Sequence, residues 1–82
     1  MRYILFTKKS CPFCTKAVDF LEQTKADYSE VVFDQDQEQK VLQEIKDAYE
    51  WSTVPMIFSR EGNSIKFIGG YTDLVELFID EQ

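Results

Sequence analysis

Two cysteines separated by two residues are the most reactive feature of this chain. The segment Cys11-Pro12-Phe13-Cys14 follows an apolar run over residues 2–6 and precedes a helical pattern, so both thiols fall at a strand-to-helix turn. Unpaired backbone N–H groups and the positive end of the dipole at a helix start favour the thiolate of a cysteine over the thiol. The spacing also lets the second thiol reach the first. One site can therefore attack a disulfide and resolve the product.

Other interpretations of the cysteine pair are weaker. The chain has only these two cysteines and no histidine, so a zinc site of four Cys and His ligands cannot be completed within one chain. A structural disulfide closing so short a loop would contribute little stability, and cytosolic thiols are normally kept reduced. A redox-active pair is favoured, with a structural disulfide or half of an intermolecular metal site as the alternatives.

Length and composition indicate one small folded unit. With 82 residues, 44% of them hydrophobic, the chain is expected to form a single domain over residues 1–82. No apolar run is long enough to span a bilayer, and the first residues are too short an apolar stretch for a signal peptide. We therefore expect a cytoplasmic protein.

The charge distribution excludes some partners. Nine Lys and Arg against fifteen Asp and Glu give a net charge of −6, which argues against a surface for nucleic acid or anionic membrane. Lys8, Lys9 and Lys16 nevertheless cluster around the cysteines, which predicts a local positive patch at the reactive end. For Lys9 and Lys16, an ordinary solvated surface charge is the better explanation.

Apolar periodicity and turn residues predict the element order βαβαββα, an α/β fold. Strands are expected over residues 2–6, 28–33, 54–58 and 64–68. A leading parallel βαβ unit and a final antiparallel hairpin predict a four-stranded mixed sheet with three helices covering its faces. The cysteine pair then lies at the carboxyl end of the first strand, where ligands meet such sheets.

Capping residues mark the helix boundaries. Pro12 suits the first turn of the first helix, which is expected to end at Ala26-Asp27. The second helix is predicted to begin at Asp34 or Asp36, with Gln39 giving a weak capping box after Asp36. The pair Gly69-Gly70 ends the last strand, and Thr72 or Asp73 is expected to cap the last helix.

Four motifs in register resemble the glutaredoxin family. They are Lys8 three residues before the first cysteine, Cys11-Pro12-Phe13-Cys14, Thr53-Val54-Pro55, and Gly69-Gly70-Tyr71-Thr72-Asp73, and their order and spacing match over the whole chain. The resemblance implies a thioredoxin-like fold, with Pro55 in the cis form beside the catalytic sulfur. Cys14 is typical of the dithiol branch. Phe13 departs from the usual Tyr and retains only the aromatic face.

The resemblance also implies a ligand, the glutathione of a mixed disulfide. Lys8 would pair with its glycyl carboxylate, Thr53-Val54 would bond its cysteinyl part as an added strand, and Thr72 with Asp73 would hold the γ-glutamyl carboxylate and ammonium. Each residue also has a structural explanation: Thr72 and Asp73 as helix caps, Gly70 as part of a turn, Phe13 as a rim residue. The glutathione-binding residues implied by the resemblance are Lys8, Phe13, Thr53, Val54, Pro55, Gly70, Tyr71, Thr72 and Asp73.

The implied activity is glutathione-dependent reduction of protein disulfides and glutathionylated proteins. Cys11 would be the nucleophile and Cys14 the resolving thiol, forming a redox-active disulfide, with glutathione as reductant and no metal. We expect a monomer. The segment from Gly69 to Asp73 looks like that of small bacterial and phage members that reduce ribonucleotide reductase, which makes that enzyme a candidate partner.

Two other functions stay open at this point. Two chains could share an iron–sulfur cluster through Cys11 and glutathione, although Pro12 stiffens the loop and disfavours this more than a Gly would. Alternatively, the protein could be an electron donor recycled by thioredoxin reductase, as in glutaredoxin-like redoxins. Lys8 together with Thr72-Asp73 favours glutathione.

Overall fold

Seven elements make up the computed structural model, which describes residues 1–80. The predicted order βαβαββα is confirmed, and the last two positions of the predicted domain, 81 and 82, lie outside the described residues. Predicted strand boundaries agree within one residue, except for the third strand, which begins two residues later and ends three residues later than predicted. The elements are β1 (Arg2–Thr7), α1 (Pro12–Gln23), β2 (Asp27–Val32), α2 (Asp36–Ala48), β3 (Met56–Glu61), β4 (Ser64–Gly69) and α3 (Tyr71–Asp80).

The sheet has the order β2-β1-β3-β4, and it is mixed as predicted. β1 pairs parallel with β2 and antiparallel with β3, and β3 pairs antiparallel with β4. Phe6, near the end of β1, is opposite Met56, the first residue of β3. The loop that leaves β1 toward the cysteines and the loop that enters β3 therefore meet at the same end of the sheet.

Alternation along β1 sends its side chains to two separate cores. Tyr3 and Leu5 pack on one face with residues of α1 and α3, among them Leu21 and Leu74. Ile4 and Phe6 point to the other face, where they pack against the cluster that contains Leu42 of α2. Helices therefore cover both faces of the sheet, as expected.

The α2 face is largely aromatic. Phe58 and Phe67 have ring centroids 5.1 Å apart, and Tyr49 lies 5.3 Å from Phe58 and 5.0 Å from Phe67. Trp51 meets Phe67 edge to face at 5.3 Å. These spacings lie within the favourable range for aromatic pairs. The loop after α2 is thus held against the sheet by its own aromatic side chains.

The first helix begins as predicted and ends earlier. Pro12 occupies the first helical position, where its missing N–H removes no intrahelical bond. The helix ends at Gln23 with Thr24 as C-cap, whose hydroxyl donates to the carbonyl of Phe20 at 3.0 Å. Lys25 then adopts a φ of 58° in the left-handed region. The expected end at Ala26-Asp27 is wrong because this turn reverses the chain first.

The predicted caps of α2 are also wrong. Gln35 is the N-cap residue, and its backbone N–H donates to Oε1 of Glu38 at 3.1 Å. Asp34 instead forms an ion pair with Nζ of Lys9 at 3.0 Å, a contact between two loops that only the fold brings together. Asp36 lies inside the first turn, where its charge suits the helix dipole. Gln39 donates to the carbonyl of Phe33 rather than completing a capping box.

Two further boundaries differ from the prediction. β3 begins at Met56 instead of Val54, because Val54 and Pro55 form a cis peptide outside the ladder and proline has no N–H to donate to it. α3 begins at Tyr71, so neither Thr72 nor Asp73 is its N-cap. Asp73 nevertheless stabilises the start of the helix from within, since its Oδ2 accepts the backbone N–H of Gly70 at 2.9 Å.

The two glycines before α3 differ in their tolerance of a side chain. At Gly69, φ is 126° and an added Cβ would collide with the Asp73 carboxylate, approaching its Cγ to 2.7 Å. At Gly70 the nearest atoms to an added Cβ are 3.7–3.9 Å away, which is ordinary contact. We predict that Gly69→Ala lowers the free energy of unfolding by about 1–3 kcal/mol. Gly70→Ala should leave it unchanged or raise it by up to about 1 kcal/mol.

Denaturant unfolding of both variants measures the difference. Equal destabilisation of Gly69→Ala and Gly70→Ala would contradict the close approach of Gly69 to Asp73.

Candidate active site

Cys11 is the N-cap residue of α1, so its sulfur lies where the unpaired N–H groups of the helix converge. The backbone N–H of Cys14 donates to Sγ of Cys11 at 3.2 Å, and the carbonyl of Cys11 accepts the N–H of Thr15 at 3.1 Å. A sulfur that accepts a backbone N–H at a helix start is stabilised in its anionic form. The placement that the sequence indicated for Cys11 is therefore observed.

Cys11 and Cys14 form a disulfide in the structure. Their Cα atoms are 5.2 Å apart, a separation at which a disulfide closes without moving the backbone. Cys11 is half-buried, whereas Cys14 is only 3% exposed. A second sulfur can therefore approach Cys11 from solvent, while Cys14 is accessible mainly to Cys11 itself.

The loop that enters β3 lies directly beside the reactive sulfur. Sγ of Cys11 is 3.9 Å from the carbonyl oxygen of Val54, and Pro55, fully buried, follows through a cis peptide bond. The expectation of a cis proline at this position is confirmed. Val54 precedes the β3 ladder, so its backbone lies at the end of the sheet next to the disulfide.

A cavity of about 290 Å³ opens beside the cysteine pair. Its walls come from the start of α1, the loop after α2 and the start of α3. Eight of the nine residues predicted to bind glutathione line it, Lys8 being the exception. The lining residues are Phe13, Trp51, Thr53, Val54, Pro55, Gly70, Tyr71, Thr72 and Asp73.

Phe13 lies at the rim of this cavity. Its side chain is 54% exposed, and its ring centroid is 6.2 Å from that of Tyr71 and 5.0 Å from Nζ of Lys16. A lysine at this distance over an aromatic face makes a cation–π contact. The aromatic face expected at position 13 is therefore presented next to the sulfurs, and one of the clustered lysines is beside it.

The far end of the cavity is the beginning of α3. The N–H groups in the first turn of α3 lack intrahelical partners and form a positive helix terminus suited to an anion. Asp73, half-buried, accepts the Gly70 N–H with one oxygen, and Thr72 is exposed at the same turn. The structure thus provides donors for a carboxylate and an acceptor for an ammonium group within one helical turn.

Lys8 does not line the cavity, and the structure links it to a residue that the sequence analysis missed. Lys46 of α2 is only 8% exposed, and its pKa lies below the ordinary value because of burial and, second, the charge of Lys8. The signal in the sequence was its spacing: Lys46 is four residues after Leu42, on the apolar face of the helix.

Trp51 is a second residue near the active site that the sequence did not indicate. Its side chain packs against Phe67 and also lines the cavity. Its Nε1 is the one buried side-chain nitrogen or oxygen within residues 1–79 that has no hydrogen-bond partner. No pattern in the sequence indicated this, because it depends on how the loop after α2 folds onto Phe67.

The described residues contain neither a metal-binding cluster nor a membrane-spanning helix. Between residues 1 and 80, no three His, Cys, Asp or Glu side chains are grouped so that they could hold a metal ion. In the same stretch no helix has the length and apolar character needed to cross a membrane.

The comparisons with known proteins agree with this site. The sequence model of glutaredoxin matches residues 4–63, a range that contains the cysteine pair and the Thr53-Val54-Pro55 segment. The chain belongs to the glutaredoxin family. Membership supports a thiol–disulfide oxidoreductase whose redox-active pair is Cys11 and Cys14. No curated protein sequence is significantly similar to the chain.

Solved glutaredoxin structures share the fold over nearly the whole chain. A dithiolic glutaredoxin from Trypanosoma brucei brucei is 31% identical with a TM-score of 0.77, covering 96% of this chain and 78% of its own. A buckwheat glutaredoxin–glutathione complex is 25% identical with a TM-score of 0.79, covering 96% of this chain and 69% of its own. Wheat glutaredoxin, 22% identical, has a TM-score of 0.84 and covers 98% of this chain and 74% of its own, a likeness of fold alone.

The unequal environments of the two sulfurs predict unequal reactivity. In the reduced protein, iodoacetamide should modify Cys11 at least about tenfold faster than Cys14, because the Cys11 sulfur is accessible and is held at the helix start. Fragmentation mass spectrometry of the tryptic peptide over residues 10–16, sampled during a time course, locates the label. Equal rates at both positions would contradict this assignment.

Proposed function

We propose that this protein reduces glutathione mixed disulfides and protein disulfides, with glutathione as the electron donor. The observation that carries the proposal is the cavity beside Cys11, whose groups complement the cysteinyl and γ-glutamyl parts of glutathione. The cysteine sulfur of a bound glutathione would meet Sγ of Cys11 next to Val54. The buckwheat relative was solved as a complex with glutathione, which supports the same ligand class here.

The cysteinyl part of glutathione would bind the backbone of Val54. An extended peptide can add to an exposed extended segment through main-chain hydrogen bonds. Val54 precedes the β3 ladder and lies 3.9 Å from Cys11 Sγ through its carbonyl oxygen. Binding as an added strand would therefore direct the glutathione sulfur toward Cys11.

The γ-glutamyl part would bind at the start of α3. Its α-carboxylate would accept from the backbone N–H and hydroxyl of Thr72 at the positive helix terminus. Its ammonium would pair with Asp73, whose carboxylate is positioned by the N–H of Gly70. Lys8, three residues before Cys11, would pair with the glycyl carboxylate at the opposite end.

The reaction on a glutathionylated protein follows from this orientation. The Cys11 thiolate attacks the glutathionyl sulfur, the target sulfur leaves as a thiolate and takes a proton from water, and Cys11 carries glutathione. The thiolate of a second glutathione then attacks that glutathionyl sulfur, which releases oxidised glutathione and regenerates the Cys11 thiolate. The N–H of Cys14 stabilises the thiolate of Cys11 both before attack and when it leaves.

Protein disulfides require the second cysteine. Cys11 attacks one sulfur of the target and forms a mixed disulfide, and the other target sulfur leaves as a thiolate. Cys14 then attacks Cys11, which releases the reduced target and forms the Cys11–Cys14 disulfide seen in the structure. Two glutathione molecules reduce this bond in turn.

The biological setting is part of the proposal. Ribonucleotide reductase is a candidate target, supported by the likeness of the Gly69–Asp73 segment to members that serve it. Residues 1–82 would act as a single monomeric domain in the cytoplasm, where reduced glutathione is available. Coupling the reaction in turn to glutathione reductase and to thioredoxin reductase tests the electron donor. Turnover with the thioredoxin system alone would overturn the proposal.

Substitution of the cysteines should separate the two reactions. We expect Cys11→Ser to abolish all activity, because it removes the nucleophile. Cys14→Ser should retain reduction of a glutathione mixed disulfide and lose reduction of a protein disulfide. Both substrates are assayed with glutathione and glutathione reductase. Equal losses in the two variants on the mixed disulfide would exclude the reaction through Cys11 alone.

Asp73 offers a test of recognition apart from folding. Asp73→Asn should lower kcat/KM for a glutathionylated peptide by about one to two decades, since a charge-assisted bond to the ammonium contributes roughly 1–3 kcal/mol. Reduction of a small uncharged disulfide should change little. The Asn oxygen can still accept the Gly70 N–H, so a melting curve should show little loss of stability. Equal losses on both substrates would indicate a purely structural role for Asp73.

A further inference from the structure

A second opening adjoins the active-site cavity and shares one residue with it. It is a groove of about 280 Å³ between α1 and α3. Tyr71 lines both this groove and the cavity next to the cysteine pair. The groove is lined by Lys16, Asp19, Phe20, Gln23 and Tyr71. Apart from Tyr71, these residues have no part in the function proposed above, so the groove is available to another part of the substrate.

Phe13 connects the groove to the reactive cysteines. It lies between the two cysteines in the sequence, and its side chain is 54% exposed. The centroid of its ring is 6.2 Å from that of Tyr71 and 5.0 Å from Nζ of Lys16. A polypeptide whose sulfur is bonded to Cys11 therefore lies next to Phe13, and the side chains that border Phe13 lead into the groove.

The groove has the length and the surface of a site for an extended chain. Lys16 and Gln23 are seven residues apart on one helix, which corresponds to about 10 Å along α1. That length accommodates about three residues of extended chain. Phe20, half-buried between them in the sequence, is fixed by an edge-to-face contact with Phe78 of α3 at 5.0 Å. The groove thus combines an aromatic floor with a polar rim.

Lys16 gives the part of the groove beside Phe13 a positive charge. Lys16 is exposed, and within residues 1–79 no carboxylate lies at ion-pair distance from it, since the only ion pair there joins Lys9 to Asp34. Its contact with the Phe13 ring holds the ammonium at this place and leaves it free to accept a carboxylate. Asp19, the other charge of the groove, lies three residues farther along α1. The end near the cysteines therefore suits an acidic side chain.

We propose that this groove binds the polypeptide of a target protein next to its reactive cysteine, and that Lys16 favours targets with an acidic residue beside that cysteine. The inference rests on the reduction of protein disulfides proposed above and adds the surface that recognises the target. A carboxylate of the target pairs with Lys16, and an apolar side chain farther along the target contacts Phe20 and Tyr71.

The test uses the reduced protein and three peptide disulfides, without glutathione. The peptides are identical except for the two residues that flank their single cysteine, which are both Glu, both Gln or both Lys, and each is used as its symmetrical disulfide. One turnover reduces one peptide disulfide to two thiols and oxidises Cys11 and Cys14 to their disulfide. The rate is measured as the loss of protein thiols that iodoacetamide can label. It is divided by the rate of the same peptide with 2-mercaptoethanol, which removes differences in intrinsic reactivity.

The normalised rate should be at least about threefold higher for the Glu peptide than for the Lys peptide, the effect of exposed ion pairs. The net charge of −6 would by itself produce the opposite order. Lys16→Gln should remove the preference for Glu, and comparing peptides within one variant cancels any change in the reactivity of Cys11. Lys40→Gln is the matched control, because it removes one exposed lysine from α2 and should keep the wild-type ratio.

A covalent complex locates the target chain. Cys14→Ser holds the Glu peptide on Cys11 as a mixed disulfide, because no second thiol of the protein resolves it. The backbone amide chemical shifts of this complex are compared with those of the same variant carrying 2-mercaptoethanol on Cys11. We expect differences over residues 16–23 of α1 and at Tyr71.

Three results would overturn the role of the groove and leave the proposed function standing. They are a normalised Glu-to-Lys ratio at or below one in the wild type, a ratio that changes equally or not at all in Lys16→Gln and Lys40→Gln, and chemical-shift differences confined to the cavity, for example at Thr53 and Thr72. A reduced wild-type protein that reacts with none of the peptides faster than 2-mercaptoethanol would instead overturn the proposed reduction of protein disulfides.

Discussion

The hydrogen bond from the Cys14 N–H to the sulfur of Cys11 is the interaction on which the active site depends. It exists because Cys11 is the last residue before α1 and keeps an extended backbone, with φ −110° and ψ 106°, while the helix begins at Pro12. The unpaired N–H groups of the first turn then face the side chain of the residue that precedes them. The start of α1 at Pro12 therefore explains both sulfurs: Cys11 precedes the helix and is reactive, whereas Cys14 lies inside the first turn and is buried.

The sheet provides the second requirement, a binding surface beside that sulfur. Antiparallel pairing of β1 with β3 brings the end of one strand next to the start of the other, so the loops carrying Cys11 and Val54 meet. The hairpin of β3 and β4 then returns the chain to the same end of the sheet, where α3 begins at Tyr71. Segments from three distant parts of the sequence thus surround one cavity of about 290 Å³.

Charge is distributed unevenly around this cavity. The protein carries a net charge of −6, yet lysines lie near the cysteines and have different surroundings. Lys9 is paired with Asp34 and Lys16 lies over Phe13, whereas Lys8 is half-buried. The opposite end of the cavity combines a helix terminus with Asp73, which suits a zwitterionic group.

The resemblance to glutaredoxins supplied most residues of the cavity, whereas local patterns in the sequence determined the order of elements and the position of the cysteine pair. These features depend on strand alternation, helix periodicity and Pro12 at a helix start, which neighbouring residues specify. Tertiary structure decided the rest. Asp34 pairs with Lys9 instead of capping α2, Lys46 is buried, and Trp51 folds onto Phe67 at the cavity. Each of these depends on contacts between residues distant in the chain, which no local pattern encodes.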